Sequence, residues 1–512
     1  MFSTLLLSIA LFSSVKMTPE SRSWKNWCGM EECQTKTHYT PSSEEELIQI
    51  VREALSSGKK IKAIGSGHSL NAIARPEENE WSLSLEKYKK LIHIDPVNQT
   101  VTVESGMTLK ELNEILYQNG MALENLGSTS DQTVGGVFQT GTHGTGKKYG
   151  SLHTQILSLT LVNGNGELQS VDPERTSVLF RACQCGLGTL GIVSTVTLKT
   201  VPARFLQEEN YPCPFPQALD QMNEWIDNND YVRLFWFPYL DQVGVWTANW
   251  TDSSEERDYT PPKNFSYSEW LQTASVESGK TIRSFDDFLE LGPTDPEIIR
   301  KYNRVFFNAD FNVPRSRTGR SDAVFSILCG PFEFALCGAV EIAVPMDSAK
   351  PFLLDLAKSI RKNHFPAHVH IEIRFVKGDQ ALLSPVYSEE PEALFCYVNI
   401  ISVLPNGKSV PYEPFFKKFQ KISQKYQGRP HWGKMGIFNP PHLKKIYPQW
   451  EAFTKVREEQ DPQGIFLNDF TNKLFKTNRI EKIKREKEQL DFHSFKSLLP
   501  KRERVSKFVR DR

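Results

Sequence analysis

Two glycine-rich stretches and one charged strand hold the residues that could do chemistry. The first stretch is Gly65-Ser66-Gly67-His68-Ser69, directly after a short strand, Lys60 to Ile64. A strand that runs into glycines presents successive backbone N–H groups, which can hold a pyrophosphate. No Lys-Ser/Thr pair follows, so this is not a Walker loop, and Leu70 stands where a dinucleotide fingerprint needs its third glycine. Alone, the turn could equally be a tight strand connection. The second stretch holds Gly127-Ser128-Thr129-Ser130-Asp131 and then Val134-Gly135-Gly136 through Thr140-Gly141-Thr142-His143-Gly144. Glycine loses more conformational freedom on folding than any other residue. Such a run is easier to justify where backbone must approach a large flat ligand. Hydroxyls at Ser128, Ser130, Thr133, Thr140 and Thr142 add neutral donors suited to phosphates and hydroxyl-bearing chains. The charged strand is Val369 to Phe375, where Glu372 and Arg374 stand two apart and so share a face. They could be a bland surface pair. Ile371, Ile373 and Phe375 fill the other face, however, which makes the strand half-buried.

The elements that position these groups follow from periodicity. Ser42-Ser43 with Glu44 to Glu46 starts a helix, which Leu47, Ile50, Val51 and Leu55 continue and Gly58 ends. Leu91 to Ile94 and Thr100 to Glu104 read as strands around a turn. Thr108 to Asn119 reads as an amphipathic helix. Leu126 to Gly150 reads as a long loop. Ile156 to Asn163 and Gly166 to Val171 form a hairpin, and Ile192 to Leu198 is a β-branched strand. Beyond Pro202 the character changes. Arg233 to Phe237 pairs with Val243 to Ala248, and the alternating runs Val369 to Phe375 and Phe395 to Ser402 suit an antiparallel sheet with one covered face.

Composition narrows the class. The 512 residues suggest two or three domains. With 39% hydrophobic and 24% charged residues the chain is an ordinary globular one, not a disordered one. Lys+Arg and Asp+Glu both number 61, so no global charge grips nucleic acid. No CxxC pair exists, and no metal is expected. Cys28 and Cys33 could pair in an oxidising compartment. Leu5 to Phe12 is too short to span a bilayer but could be a signal-peptide core, or Met17 could be the start. A cytoplasmic location is favoured; ER or secretion would follow if Met1 to Lys16 is a signal. Asn249 and Asn264 head glycosylation sequons, which matter only after secretion. Trp24 and Trp27 read as anchors of the N-terminal segment.

The motifs taken together resemble one family. Gly65-Ser66-Gly67-His68-Ser69, Asn125-Leu126-Gly127-Ser128, Thr133-Val134-Gly135-Gly136 and Thr140-Gly141-Thr142-His143-Gly144-Thr145-Gly146 resemble the vanillyl-alcohol-oxidase type of flavoprotein, and within it the aldonolactone oxidases. Downstream, Glu372-Ile373-Arg374-Phe375, Leu382-Leu383-Ser384-Pro385, Gly428 to Lys434 and Asp461 to Asn468 agree. The resemblance runs from about Trp24 to Phe475. It implies an α+β protein: a two-subdomain FAD-binding domain of the vanillyl-alcohol-oxidase (PCMH) type over 35–204, and an α+β substrate or cap domain with an antiparallel sheet over 205–430. A segment over 431–475 would complete the active site. A basic tail covers 476–512, and 1–16 is a signal or incidental extension.

The resemblance also implies roles. FAD would lie with its pyrophosphate on Ile64, Gly65, Ser66, Gly67, His68 and Ser69 and its adenine near Ile192. Ser128, Thr133, Gly135, Gly136, Thr140, Gly141, His143 and Asn468 would also face it. His68 would be its covalent ligand, since a neutral imidazole is a nucleophile. Gly127 implies an oxidase, because in the family an added methyl there blocks oxygen; the other reading is a glycine kept for its dihedrals. Glu372 and Arg374 would hold a sugar lactone and stabilise charge as hydride leaves for flavin N5. Lys434 would stabilise the anionic reduced flavin, and His431 would act similarly or orient Lys434. Ser128 and Asn399 would contact substrate hydroxyls. Oxygen would then give hydrogen peroxide and, from an L-gulono-, L-galactono- or D-arabinono-1,4-lactone, an ascorbate-type product. A polyol oxidase of the same family, or a lactone dehydrogenase with another acceptor, is the alternative. A non-catalytic flavin or sugar binder would lack the active-site charges that Glu372, Arg374 and Lys434 supply. The region Asp252 to Phe306 is polar and charged, which weighs against membrane association.

Overall fold

The computed structural model describes residues 19–475 other than 254, 256, 258–266, 327–336 and 405–409. The extension 1–16, the sequon at Asn264 and the tail 476–512 lie outside the described residues. Three sheets carry the architecture. The first has the order β1-β2-β4-β3, from β1 (Glu20–Lys25), β2 (Glu32–Tyr39), β3 (Ile61–Ile64) and β4 (Trp81–Ser84). β1 and β2 form a hairpin, while β2 and β3 both run parallel to β4. The crossover between β2 and β3 is the helix Glu44–Ser56, whose Ser43 hydroxyl caps the Glu46 N–H. Leu47, Ile50, Val51 and Ala54 are its buried face. The sequence expectation begins this unit at residue 35. β1 lies wholly before that boundary, and β2 straddles it.

The second sheet is antiparallel, with order β5-β6-β10-β8-β9: β5 (Leu91–Asp95), β6 (Thr100–Glu104), β8 (Ile156–Asn163), β9 (Leu168–Val171) and β10 (Gly191–Lys199). A two-residue pair, β7 (Met121–Ala122) with β11 (Val201–Pro202), closes beside it. The helix Leu109–Gln118 covers this sheet through Leu109, Leu112 and Leu116, and Thr108 with Glu111 makes a complete capping box at its start. The expected long loop is corrected. Val134–Gln139 is a short helix capped by the Thr133 side chain. Two adjacent glycines disfavour helix. Here tertiary contact decides: Val134, Val137 and Phe138 are buried, and a Cβ on Gly135 would sit 2.8 Å from Ser105 Cβ.

The third sheet has eight antiparallel strands in the order β15-β12-β14-β13-β17-β18-β16-β19. They are β12 (Phe205–Pro214), β13 (Tyr231–Phe237), β14 (Gln242–Thr251), β15 (Arg315–Arg320), β16 (Cys337–Pro345), β17 (Ile371–Lys377), β18 (Leu394–Val403) and β19 (Arg429–Pro430). One face packs on the helices Phe215–Asn228, Ala349–Asn363 and Glu413–Ser423. Leu234, Trp236 and Ile373 of the strands share that core with Phe352 and Phe419 of the helices. The other face looks toward the first unit. The chain then returns: Tyr447, Trp450 and Phe475 share one core with Phe180 and Leu187, and Ile61 donates its N–H to the Ile465 carbonyl. Cys28 and Cys33 are both free. No helix among the described residues is long and apolar enough to cross a membrane.

Candidate active site

β3 delivers the chain into the first glycine turn. Gly67 has φ +74°, a conformation that favours glycine, and a Cβ there would stand 3.2 Å from Asn26 Cα. The Trp27 N–H donates to the Gly67 carbonyl at 2.8 Å, and the Trp27 ring stacks near His68 at 6.0 Å and 19°. Trp27 is thus more than an anchor: it lines the site, whereas Trp24 is buried. His68 Nδ1 lies 3.1 Å from Ser66 Oγ, and burial pushes its imidazole down toward the neutral form.

The second glycine stretch meets the first. A Cβ on Gly65 would be 2.6 Å from Thr133 Oγ1, and one on Gly106 only 1.9 Å from the Leu85 carbonyl oxygen. The result is an elongated cleft of two adjoining cavities, of about 580 and 310 Å³, which share Gly65, Ser66, Thr133, Gly136 and Gly188. Ile64, Gly135 and Ile192 line the smaller one. Gly67, His68, Ser69, Gly127, Ser128, Thr140 and His143 line the larger. Backbone approach, neutral hydroxyls and two cavities that adjoin fit a dinucleotide cofactor such as FAD. Lys62 adds a buried ammonium there, with long bonds of 3.4 Å to the carbonyls of Gly188 and Phe466.

Two of the expected residues, Gly141 and Asn468, line neither cavity. Gly141 lines neither cavity; its φ of +74° and the Pro385 ring, 3.2 Å from a built Cβ, make it a turn glycine. Asn468 also stays outside. Its Nδ2 donates to the carbonyls of Ala72 and Arg75 at 2.8 Å, and its Oδ1 accepts from the Thr471 N–H, so it staples the C-terminal segment to the Asn71 loop. Gly127 has neither a positive φ nor a crowded Cβ position. The nearest atoms are Thr142 Cγ2 at 3.4 Å and the His143 carbonyl at 3.7 Å. The dihedral explanation for this glycine therefore falls away.

The third sheet supplies the charges. β17 is buried on both faces, not half-buried. Ile371, Ile373 and Phe375 join the helix-side core, while His370, Glu372 and Arg374 face the larger cavity. Glu372 pairs in register with Asn399 of β18, and Asn399 with Glu341 of β16, so the three stand abreast and all line the cavity. Glu341 is the residue the sequence reading missed. It is 1% exposed. Arg374 Nη2 donates to its Oε1 at 2.7 Å, His143 Nε2 lies 3.1 Å from the same oxygen, and Lys434 Nζ stands 3.7 Å from Oε2. Arg374 Nε is 3.4 Å from Glu372 Oε1, an ion contact without hydrogen-bond geometry. A signal for Glu341 was present in the chain: it is the one charge in the apolar run Ala339 to Val344. Arg233, alone among Val232, Leu234 and Phe235, carries the same signal and pairs in register with Arg374.

The electrostatics follow from burial and partners. Burial alone would raise the Glu341 carboxyl; Arg374, His143 and Lys434 more than offset this and hold it well below the usual carboxylate range. Glu372 is treated likewise, with Arg374 and Arg233 overcoming its burial. His143 stacks on Tyr397 at 3.6 Å, and burial, then Arg374, push it toward neutral against the pull of Glu341. His431 is no second cation. Burial takes its imidazole down to about 3, and its Nδ1 accepts from the Gly433 N–H. Its backbone carbonyl accepts the Lys434 N–H at 3.2 Å. Backbone bonds fix the rest of this turn: the Leu70 N–H donates to the Gly433 carbonyl, the Met435 N–H to the Ala339 carbonyl and Asn71 Nδ2 to the Lys434 carbonyl. His143, Glu341 and His431 bring their ligand atoms within 4.8 Å of one another, but Arg374 and Lys434 already neutralise that carboxylate.

Known proteins place this arrangement. Residues 36–172 match the FAD binding domain family, and residues 196–474 match the family described as D-arabinono-1,4-lactone oxidase. The chain is 32% identical over 454 residues to an L-gulonolactone oxidase of Mus musculus, covering 88% of this chain and 98% of that one. It is 29% identical to an L-gulono-1,4-lactone dehydrogenase of Mycobacterium tuberculosis, over 88% of this chain and 98% of the relative. A D-arabinono-1,4-lactone oxidase of Eremothecium gossypii is 27% identical, over 87% and 93%. Among solved structures, a cholesterol oxidase from B. sterolicum superposes with a TM-score of 0.71 at 15% identity, over 92% of this chain and 100% of that one, and shares the fold. With an FAD-binding domain in front and this charged sheet behind, the chain belongs to the aldonolactone oxidase and dehydrogenase family of flavin oxidoreductases.

Proposed function

We propose that the protein oxidises a sugar-1,4-lactone of the L-gulono, L-galactono or D-arabinono type at the hydroxyl-bearing carbon next to the lactone carbonyl. Oxygen is the final acceptor, and the products are hydrogen peroxide and an ascorbate-type enediol. The observation that carries this reading is the row Glu341, Asn399 and Glu372, with Arg374 and Lys434 closing on it at the end of a glycine-lined cleft. FAD bound in that cleft supplies the hydride acceptor and passes the electrons on to oxygen. Arg374 and Lys434 stabilise negative charge that develops on the substrate and its surroundings, in a buried site where such charges count most. Glu372, Asn399 and Ser128 offer acceptors and donors for ring hydroxyls. His68, neutral and steadied by Ser66 and Trp27, is the nucleophile of a covalent link to the cofactor.

The oxidase reading is favoured over the dehydrogenase by Gly127, where nothing in the local backbone demands glycine. A panel of the three lactones and of linear polyols, with peroxide detection, tests the proposal. Peroxide formed one-for-one with a lactone supports it. Turnover of polyols only makes the protein a polyol oxidase, and turnover only with an artificial acceptor makes it a dehydrogenase. Acid precipitation tests His68 separately: a yellow pellet supports the covalent bond, and a colourless one removes that role.

A further inference from the structure

The Glu341 side chain has one oxygen fully engaged and one that is not. Oε1 takes the Arg374 Nη2 donor at 2.7 Å and faces His143 Nε2 at 3.1 Å. Oε2 is buried, accepts no hydrogen bond from the described residues and has the Lys434 ammonium 3.7 Å away. A buried carboxylate oxygen with no donor is costly. The cost disappears if a ligand hydroxyl fills the place, and Glu341 lines the larger cavity. We propose that Glu341 is a catalytic residue of this site, with Oε2 accepting the proton of the substrate hydroxyl as hydride leaves the same carbon. The proposal rests on the lactone-oxidising reading above.

The step balances. The C–H bond breaks and its electron pair leaves as hydride for the flavin, the oxidant of this family. The O–H bond breaks, its proton forms an O–H bond on Glu341, and a C=O bond forms on the substrate. The neighbours suit this role. His143 comes from the second glycine stretch, Glu372 and Arg374 from β17, Tyr397 and Asn399 from β18, and His431 and Lys434 from the returning segment. Of these, Arg374, His143 and Lys434 keep Glu341 ionised despite burial. An ionised carboxylate is a weak base, but a hydroxyl becomes strongly acidic as its carbon loses hydride, so availability of the charged form matters more than base strength. The other candidates are occupied. His431 Nδ1 is bonded to the Gly433 N–H, and both His143 nitrogens face oxygens, Glu341 Oε1 and the Gly144 carbonyl. Glu372 is the rival.

The test compares Glu341→Gln, Glu341→Ala and Glu372→Gln in the FAD-loaded enzyme, on a lactone that wild type turns over. If wild type turns over none, the functional reading fails before this inference is reached. Glu341→Gln should lower kcat by about 10²- to 10⁴-fold, with KM within about threefold and the lactone-induced change in the flavin spectrum retained. Excess formate should restore turnover to Glu341→Ala but not to Glu341→Gln, because only the Ala variant has room for a replacement carboxylate. A merely structural role would give no such rescue. Glu372→Gln should act mainly on KM. A kcat for Glu341→Gln within about fivefold of wild type, a loss confined to KM, or the kcat loss appearing instead in Glu372→Gln would overturn the proposal. Should the Gln variant fail to hold FAD, Glu341→Asp decides: retention of part of kcat supports the role, and activity equal to wild type sinks it.

Discussion

The two walls of the cleft are built by opposite means. The wall from the first unit is made of side chains that are missing: Gly65, Gly106 and Gly135 stand where a single methyl would strike Thr133, Leu85 or Ser105. The wall from the eight-stranded sheet is made of side chains that are expensive to bury: Glu341, Glu372, Arg374 and, beside them, Arg233. Backbone recognises a large cofactor by shape and N–H groups at little electrostatic cost. Fixed charges in a dry cavity act on the reacting atoms. The first wall should therefore fail by losing its ligand, and the second by losing turnover.

Arg374→Ala attacks the charged wall hardest. It leaves two buried carboxylates without their shared guanidinium, which should lower stability by about 3–5 kcal/mol. Turnover should fall by about 10²- to 10³-fold, read by steady-state kinetics, while the protein still binds FAD. Full turnover in this variant would end the proposed role. Gly106→Ala attacks the other wall, because its new methyl would lie 1.9 Å from the Leu85 carbonyl oxygen. Thermal unfolding should show a loss of about 1–3 kcal/mol or more, and flavin content per protein should drop, while turnover per bound flavin holds.

Acid should separate the walls again. The folded values of Glu341 and Glu372 lie below the ordinary carboxylate range. Their contribution is thus fully present above the unfolded value of about 4.3 and is lost as pH falls from there through the folded values. Denaturant titrations below about pH 4 should show this loss, and the double variant Glu341→Gln, Glu372→Gln should flatten it. Gly127→Ala gives the mildest change. The methyl has ordinary contact distances, so stability should hold. Reoxidation by oxygen should slow about tenfold, a barrier change of about 1.4 kcal/mol, with artificial acceptors unaffected. An unchanged oxygen rate would leave the oxidase reading without its local support.

The same contrast explains what could be read from the chain. Strand alternation at Val369 to Phe375 placed Glu372 and Arg374 on one face, because a period of two is a local property. The carboxylate partner of Arg374, Glu341, lies on a strand that reaches β17 only through β18, a pairing with no local signature beyond one acid in an apolar run. The helix Val134–Gln139 was hidden for a similar reason. Its glycines argue against helix, and the close approach of Ser105 to Gly135 and of the Thr133 cap to Gly136 explains them. Asn468 looked like a cofactor contact by motif, yet its amide is spent on three carbonyls of the Ala72–Arg75 turn. Trp27 reached the site through a hairpin, β1 with β2, that its polar sequence did not announce.

The most direct measurement is anaerobic mixing of the purified flavin-loaded protein with L-gulono-, L-galactono- and D-arabinono-1,4-lactone, following the flavin absorbance. Rapid bleaching by at least one lactone, restored by admitting oxygen with release of hydrogen peroxide and nearly abolished by Arg374→Ala, is the predicted result. A protein that keeps its flavin yet is bleached by none of the lactones, or is bleached equally well without Arg374, would contradict it.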